Sequence, residues 1–250
     1  MFKGFYNLAS GVLTHQRNLD VVANNMVNVS TPGYKQERYT ATTFDEVMYS
    51  RMGNLDGQGE EIGEQTYIRA TSDIYTDYTQ GILEPTGLSL DFGILGEGFF
   101  CIQEQNGNRF YTRCGGFTLD NEGYMSFSGL GRVLDVEGNP ILLRSDKIVS
   151  DTQGVIRDRN TGEELGQIGI YTFDDYGVLD RNEMGHFIGE GARLIRPEEI
   201  VHEHLERSNT DSVKQMTDMI TYQRSLQSAA QVMKMYDKLM GQAANDVGRL

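Results

Sequence analysis

Residues 5–26 read FYNLASGVLTHQRNLDVVANNM, and their apolar side chains recur at alternating intervals of three and four residues. The same alternation runs through residues 219–247, MITYQRSLQSAAQVMKMYDKLMGQAANDV. Strict three-four spacing gives a helix a narrow apolar seam and favours left-handed packing against another helix. The first seam is Phe5, Leu8, Val12, His15, Leu19, Val22 and Met26. The second is Met219, Tyr222, Leu226, Ala229, Met233, Tyr236, Met240, Ala243 and Val247.

Local signals predict where the two helices begin and end. Asn28 to Gly33 ends the first helix, with Thr31-Pro32-Gly33 as a turn. Ser208-Asn209 before Asp211 predicts a cap and an acidic first turn for the second helix. Each seam can pack on its own domain core or against helices of other copies, and the residues leave both alternatives open.

The middle of the chain has the composition of turns and short strands. Of the 29 glycines, 24 lie between residues 36 and 207. Short apolar runs separated by turns every 8–12 residues or so favour an antiparallel β domain. We therefore expect an α+β fold, with a discontinuous helical coiled-coil domain formed by the N- and C-terminal helices plus a central antiparallel β domain. The expected segments are an N-terminal helical segment 1–35, an extended connector 36–80, a β domain 81–207 and a C-terminal helix 208–250.

The two cysteines flank a hairpin signal. Asn106-Gly107 is a strong two-residue turn, and with those residues as the loop Cys101 would face Thr112. Cys101 and Cys114 would then share one face as diagonal neighbours, roughly 7–8 Å apart, which is too far for a comfortable disulfide. Two reduced, half-buried thiols are the prediction.

Charge is distributed unevenly and excludes some classes of protein. The formal net charge is -14, with +2 on residues 1–35, +1 on residues 208–250 and -17 between them. An acidic chain is a poor match for nucleic-acid binding, which needs clustered Lys and Arg. No window has the roughly 18 apolar residues of a membrane-spanning helix, and the N-terminal residues do not resemble a cleavable signal peptide.

A search for catalytic and cofactor motifs returns none that is specific. There is no phosphate-binding loop and no nucleophile elbow, and Gly96-Glu97-Gly98 lacks a following helix. His202-Glu203-His204 could present two imidazoles to a metal, but no further ligands are spaced to complete a site, so a solvated, charged segment is favoured. We predict no catalytic residues, no cofactor and no metal.

Three stretches resemble the flagellar rod and hook protein family. Residues 23–35, ANNMVNVSTPGYK, are similar to the family's N-terminal signature, and residues 205–211, LERSNTD, followed by 219–224, MITYQR, are similar to its C-terminal one. In the middle, residues 90–100, LDFGILGEGFF, and 111–117, YTRCGGF, match as well. These motifs occur in the family's order and cover nearly the whole chain.

The resemblance implies a non-enzymatic structural subunit of the flagellar basal-body rod, self-assembling through its terminal helices into a hollow helical tube. It implies export without a cleaved signal, and as partners other copies, neighbouring rod and hook subunits and the export apparatus. The size of the middle resembles the distal rod type and the adjoining rod type, and residues 44–49 favour the distal type. The expected assembly interface is Leu8, Val12, Leu19, Val22, Asn24, Asn25, Met26, Asn28, Met219, Leu226, Met233 and Met240.

Two further hypotheses follow from the same features. Leu19, Val22 and Met26 are expected to pack against Leu226, Met233 and Met240 of the same chain or of other copies. Asn24, Asn25 and Asn28 are expected to satisfy backbone groups where the first helix ends.

Two other functions stay open from the residues alone. A soluble coiled-coil adaptor or adhesin with a β head would use the seams in a small closed oligomer. A secreted glycan hydrolase would use two of the middle carboxylates, held about 5–10 Å apart in a cleft.

Overall fold

The computed structural model describes residues 2–43, 47–52, 59–65, 69–182, 185–196 and 198–247. These residues divide into two compact units. Unit 1 comprises residues 1–27, 36–77 and 211–250, and unit 2 comprises residues 28–35 and 78–210. Residues 44–46, from the stretch that favours the distal rod type, lie outside the described residues.

Unit 1 contains both terminal helices. Helix α1 spans Phe2–Val27 and helix α2 spans Ser212–Val247, and the two pack together, which confirms the predicted helical pairing. None of the helices in the described ranges combines the length and the apolar character needed to cross a membrane.

Strands accompany the helix pair, within the segment expected to be an extended connector. Strand β1 pairs antiparallel with β4, and β2 pairs antiparallel with β3. The bounds are β1 Glu37–Thr43, β2 Val47–Met52, β3 Gly59–Gln65 and β4 Arg69–Thr76.

The cap of α2 differs from the sequence prediction. Asp211 Oδ1 accepts hydrogen bonds from the backbone N–H groups of Val213 at 2.9 Å and Lys214 at 3.2 Å. The predicted cap at Ser208-Asn209 is therefore wrong, because Ser208 Oγ accepts from the N–H of Thr210 instead. A side chain immediately before the first helical residue reaches the free N–H groups of the first turn, and Asp211 holds that place.

Unit 2 is the predicted antiparallel β domain. Its strands are β5 Leu83–Pro85, β6 Phe92–Leu95, β7 Phe99–Glu104, β8 Arg109–Thr112, β9 Thr118–Leu119, β10 Met125–Phe127, β11 Gly131–Val133, β12 Ile148–Ser150, β13 Val155–Asp158, β14 Glu164–Gln167, β15 Ile170–Thr172, β16 Asp180–Arg181, β17 Phe187–Ile188, β18 Arg193–Ile195, β19 Glu199–His202 and β20 His204–Glu206. The largest sheet has the order β16-β17-β8-β7-β11-β10-β9, and β15 joins β18 to β7. Smaller sheets are β12-β13-β14, β19-β6 and β20-β5.

Strand β7 is buried on both faces and divides the core in two. Phe100 and Ile102 point into a large cluster that includes Phe92 and Met125. Phe99 and Cys101 point the other way, into a smaller aromatic cluster. Successive strand residues face opposite sides, so a run of apolar residues fits a strand that is covered on both.

The register of the β7–β8 hairpin differs by one residue from the prediction. Cys101 pairs with Tyr111, not Thr112, and the loop contains Gln105, Asn106 and Gly107. Gly107 has φ +88°, which suits the left-handed position that ends a three-residue hairpin loop. Because the loop has one more residue than predicted, the two thiols no longer share one face of the hairpin.

Cys101 and Cys114 therefore lie on opposite faces of the hairpin. Cys101 belongs to the aromatic cluster, whereas Cys114 packs against the larger one. Their expected position on one face is wrong, and both cysteines are free. Burial raises the pKa of the Cys101 thiol to about 11 and raises the pKa of the Cys114 thiol as well.

We expect neither thiol to react with a thiol-specific disulfide reagent at pH 8 in the folded protein. The thiolate is the nucleophile, and a raised pKa keeps both groups protonated. In addition, Cys101 is buried and Cys114 is half-buried. In denaturant, both should react stoichiometrically and quickly. Labelling of the native chain at the rate of the denatured chain would contradict the burial described above.

Candidate functional site: a buried ion cluster and the helix seams

The most deeply buried charged group of unit 2 is the carboxylate of Glu206, at the end of β20. Its side chain is 0% exposed. Oε1 accepts hydrogen bonds from Lys35 Nζ at 2.7 Å and from the Gly81 N–H at 2.8 Å. Oε2 accepts from Arg113 at 3.2 Å. Two cations thus converge on one carboxylate with no access to water.

Both cations have further partners that fix their positions. Lys35 Nζ also donates to the carbonyl of Thr79 at 2.8 Å. Arg113 donates to the carbonyl of Gly96 at 2.7 Å. Burial lowers the pKa of the Arg113 guanidinium below its ordinary value, and the charge of Glu206 opposes that change. We call Lys35, Arg113 and Glu206 the ion cluster.

The N-terminal signature reaches the ion cluster through a close backbone approach. The Gly33 N–H donates to the carbonyl of Glu206 at 2.7 Å, two residues before Lys35 joins its carboxylate. Gly33 has φ +69°, and a Cβ there would collide with the backbone N of Cys114. Glycine is required here both for the left-handed backbone and for the space.

The three residues of the ion cluster come from three separated motifs. Lys35 ends the N-terminal signature, Arg113 lies in the central YTR stretch and Glu206 lies in the C-terminal signature. The motifs were recognised in sequence, but none of these residues was expected to be a site residue. The signal available in the sequence was that each is a charged residue inside one of the three family-like motifs.

A second polar arrangement, in unit 1, joins α1, β1 and α2. Asn25 is 1% exposed, and its Nδ2 donates to the carbonyl of Glu37 at 2.7 Å. Its Oδ1 accepts from the N–H of Glu37 at 2.9 Å, and Nδ2 also lies 3.4 Å from Gln215 Oε1. The expected target of Asn25 was the end of α1, whereas the observed target is the backbone of the first residue of β1.

The other two asparagines of that motif contact different groups. Asn24 is exposed, and its Nδ2 lies 3.3 Å from Glu37 Oε2. Asn28 Oδ1 accepts a hydrogen bond from the Thr31 hydroxyl at 3.2 Å. Asn25 is therefore the member of the set that is both buried and bonded to backbone.

The helices are antiparallel, and the seam residues lie along their contact. Asn25 is next to Gln215, and the rings of His15 and Tyr222 are 6.3 Å apart. Val22 is buried. The remaining expected interface residues of the seams are half-buried: Leu8, Val12, Leu19, Met26, Met219, Leu226, Met233 and Met240.

The antiparallel register excludes part of the predicted pairing within one chain. Met26 follows Asn25, which contacts Gln215. Met240 lies 25 residues beyond Gln215, about 37 Å along a helix that rises 1.5 Å per residue. Met26 therefore cannot reach Met240 of the same chain, and for this pair only the alternative of contact between copies is left.

The histidine pair of the sequence analysis is occupied by backbone contacts. His202 Nε2 lies 2.7 Å from the carbonyl of Ser89, and His204 Nδ1 lies 2.8 Å from the carbonyl of His202. Glu203 between them has φ +58°, which interrupts the strand. Among the described residues, no group of three or more His, Cys, Asp or Glu side chains could hold a metal ion.

We expect Glu206→Gln to lower the free energy of unfolding by about 3–5 kcal/mol, because Lys35 and Arg113 would stay buried without their counter-ion. The matched control is Glu84→Gln, which breaks an exposed pair with Arg207 and should cost about 1 kcal/mol or less. Urea denaturation of the full chain, followed by near-ultraviolet circular dichroism of its tyrosines, measures both. Equal costs would refute the importance of the ion cluster.

Comparison with known protein families agrees with the arrangement of the three motifs. Residues 5–35 match the flagella basal body rod protein family. Residues 93–154 match the D1 domain of the flagellar hook protein FlgE/F/G family. Residues 201–246 match the C-terminal region of the flagellar basal body rod FlgEFG proteins. Each match contains one residue of the ion cluster: the first contains Lys35, the second Arg113 and the third Glu206.

Proteins that are similar to this chain along nearly its whole length are also flagellar rod proteins. The chain is 30% identical to the flagellar basal-body rod protein FlgG of Bacillus subtilis, over 98% of this chain and 99% of that one. It is also 30% identical to FlgF of Caulobacter vibrioides, over the whole of both chains. This family is structural and non-enzymatic, which removes the hydrolase and adaptor alternatives. The chain therefore belongs to the FlgF/FlgG family of flagellar basal-body rod proteins and is a structural subunit of the rod.

Proposed function

We propose that this rod subunit assembles through α1 and α2 into a hollow helical tube. The observation that carries the proposal is the imbalance between the two units. Among the described side chains of unit 1, the buried apolar ones are Val21 and Val22, whereas unit 2 has a large core around β7. The buried apolar core that these described side chains form is too small to stabilise a long helix pair, because folding must offset the conformational entropy of every ordered residue.

Exposed apolar side chains on α2 support the same proposal. Six of them are 43–74% exposed and none belongs to the predicted seam: Val213, Met216, Ile220, Val232, Met235 and Leu239. Exposed apolar patches of this kind mark interaction sites. Contacts that do not close on themselves produce helical assemblies, which fits a rod.

The proposed partners follow from family membership. Copies of this chain cover the helices along the tube, and neighbouring rod and hook subunits contact its ends. Delivery by the flagellar export apparatus, without a cleaved signal, belongs to the same proposal. It is supported by terminal segments with little apolar core of their own.

We expect Met233→Asp to prevent assembly, because it would bury an unpaired charge on the seam of α2. The β domain should stay folded, with unchanged near-ultraviolet circular dichroism. Gln231→Asp puts the same charge at an exposed position two residues away and should assemble normally. Motility of strains carrying each variant, together with sedimentation of the purified proteins, tests the pair. Normal motility with Met233→Asp as the sole copy would refute the proposed interface.

We also expect the terminal helices of the monomer to exchange amide hydrogens quickly, while unit 2 is protected. The boundary should fall near residue 27 and not residue 35, because residues 28–35 belong to unit 2 and end in the buried Lys35. Hydrogen exchange with mass spectrometry, read by peptide, measures this. Protection of residues 2–27 and 212–247 in the monomer would mean that the seams are satisfied within one chain.

A further inference from the structure

Unit 1 contains a groove on the side of α1 where β1 and β4 lie. The cavity has a volume of about 370 Å³, and its lining includes the apolar side chains of Val21 and Ile74 and the ring of Tyr39. Ile74 is 56% exposed although it lines the groove. The Tyr39 hydroxyl is buried, and within the described part of the chain it has no hydrogen-bond partner. An open groove with exposed apolar side chains in its lining has the character of a surface that another molecule covers.

The second half of α2 carries a complementary feature. Val232, Met235 and Leu239 follow each other at intervals of three and four residues, so they form one ridge on the helix. They are 43%, 58% and 63% exposed, respectively. The ridge is separate from the seam that contains Met233 and Met240. A row of large apolar side chains on a helix is the shape that fills an apolar groove.

The ridge cannot fill the groove of its own chain. A smaller cavity next to the groove shares Val21 and Tyr39 with it and is also lined by Gln215 and Tyr222 of α2. Met235 lies 13 residues beyond Tyr222, which is about 20 Å along the helix. A contact between ridge and groove must therefore join two copies, and since it uses different surfaces of each it can continue indefinitely.

Charges near the two surfaces are complementary. The groove is lined by Asp20 and Glu37 with a single cation, Arg17. The ridge is flanked by Lys234 and Lys238 with a single carboxylate, Asp237. Each surface thus has an excess of one charge, and the signs are opposite. Such complementarity favours docking in one orientation and disfavours the contact of like surfaces.

We propose that the ridge of one copy, Val232, Met235 and Leu239, docks into the Val21–Tyr39–Ile74 groove of the next copy. The inference rests on the proposed function and names a specific contact of the assembly. It adds to the seam a second, heterologous contact, one that uses the strands of unit 1 as well as its helices. The occupant is a second copy of this chain, because the groove and the ridge are both open on the same molecule.

Cysteine cross-linking of full-length chains tests the contact. Ile74→Cys and Met235→Cys are introduced into separate chains, which are mixed, assembled and oxidised. Cys101 and Cys114 stay in place because Cys101 is buried, Cys114 is half-buried and both thiols have raised pKa values. The matched control replaces Met235→Cys by Met216→Cys, since Met216 is 53% exposed on the same helix but outside the ridge.

We expect covalent dimers in the assembled mixture of Ile74→Cys and Met235→Cys chains, at least tenfold more than in the mixture with Met216→Cys. Each variant alone should give few dimers, and the chain that carries both Ile74→Cys and Met235→Cys should give a ladder of longer products. Assembly with equal yields in the two mixtures, or dimers from one variant alone, would overturn the groove assignment while leaving the rod role intact. Failure to sediment as an assembly at any concentration would overturn both.

A small apolar molecule in the groove is the other possible occupant. In that case, adding a hydrophobic fluorescent dye to the monomer should give bound fluorescence that persists after assembly. Docking of the ridge predicts that assembly displaces the dye and that Met235→Asp chains retain it. Retention of the dye by wild-type assemblies would overturn the proposal.

Discussion

The buried carboxylate of Glu206 is the constraint on which the architecture of unit 2 depends. A carboxylate without water is tolerated only when hydrogen bonds and opposite charges surround it. Lys35, Arg113 and the Gly81 N–H supply them, and each comes from a different part of the chain. The first turn after α1, the β7–β8 hairpin and the strand before α2 must therefore meet at one place. If any of these three segments is removed, a buried charge is left without one of its partners.

The two units use opposite strategies. Unit 2 has a large apolar core, and its ion cluster adds positional specificity to a body that is already well packed. Unit 1 buries few apolar side chains in the described residues and relies on amides, since Asn25 and Gln215 are each 1% exposed. Buried amides fix a register with little gain in stability. A unit of this kind has a defined geometry but needs further surface burial to become rigid, which subunit contacts provide.

Short-range sequence patterns were sufficient to predict the two helices and the β domain. The three-four spacing gave both helices, and glycine-punctuated apolar runs gave the β domain. The errors came from single-residue choices. Asn106-Gly107 fits a two-residue loop and also the end of a three-residue loop, and Ser208-Asn209 and Asp211 are equally good caps by residue type. Only the surrounding contacts decide between such local alternatives.

The ion cluster and the groove could not be predicted for a different reason. Lys35 and Glu206 contact across 171 positions of sequence, and no periodicity links them. The exposed ridge on α2 was overlooked in the sequence because the seam beside it has the stronger apolar periodicity, and periodicity identifies the most apolar face of a helix. Motif recognition located the correct segments, yet it assigned importance to the asparagines and the seams and not to the charges. The charges became meaningful once their burial and distances were known.

The separation of Lys35 from Glu206 also orders events in time. During synthesis the N-terminal signature leaves the ribosome long before residue 206 exists, so Lys35 spends that interval hydrated and mobile. Closing so long a loop carries a large entropic cost, which is recovered only when the carboxylate arrives on a formed β20. The lysine and Gly33 then attach to the same residue, one through the side chain and one through the backbone. Completion of the β domain therefore waits for residue 206, and a truncated product that lacks this residue leaves Lys35 and Arg113 without their shared carboxylate.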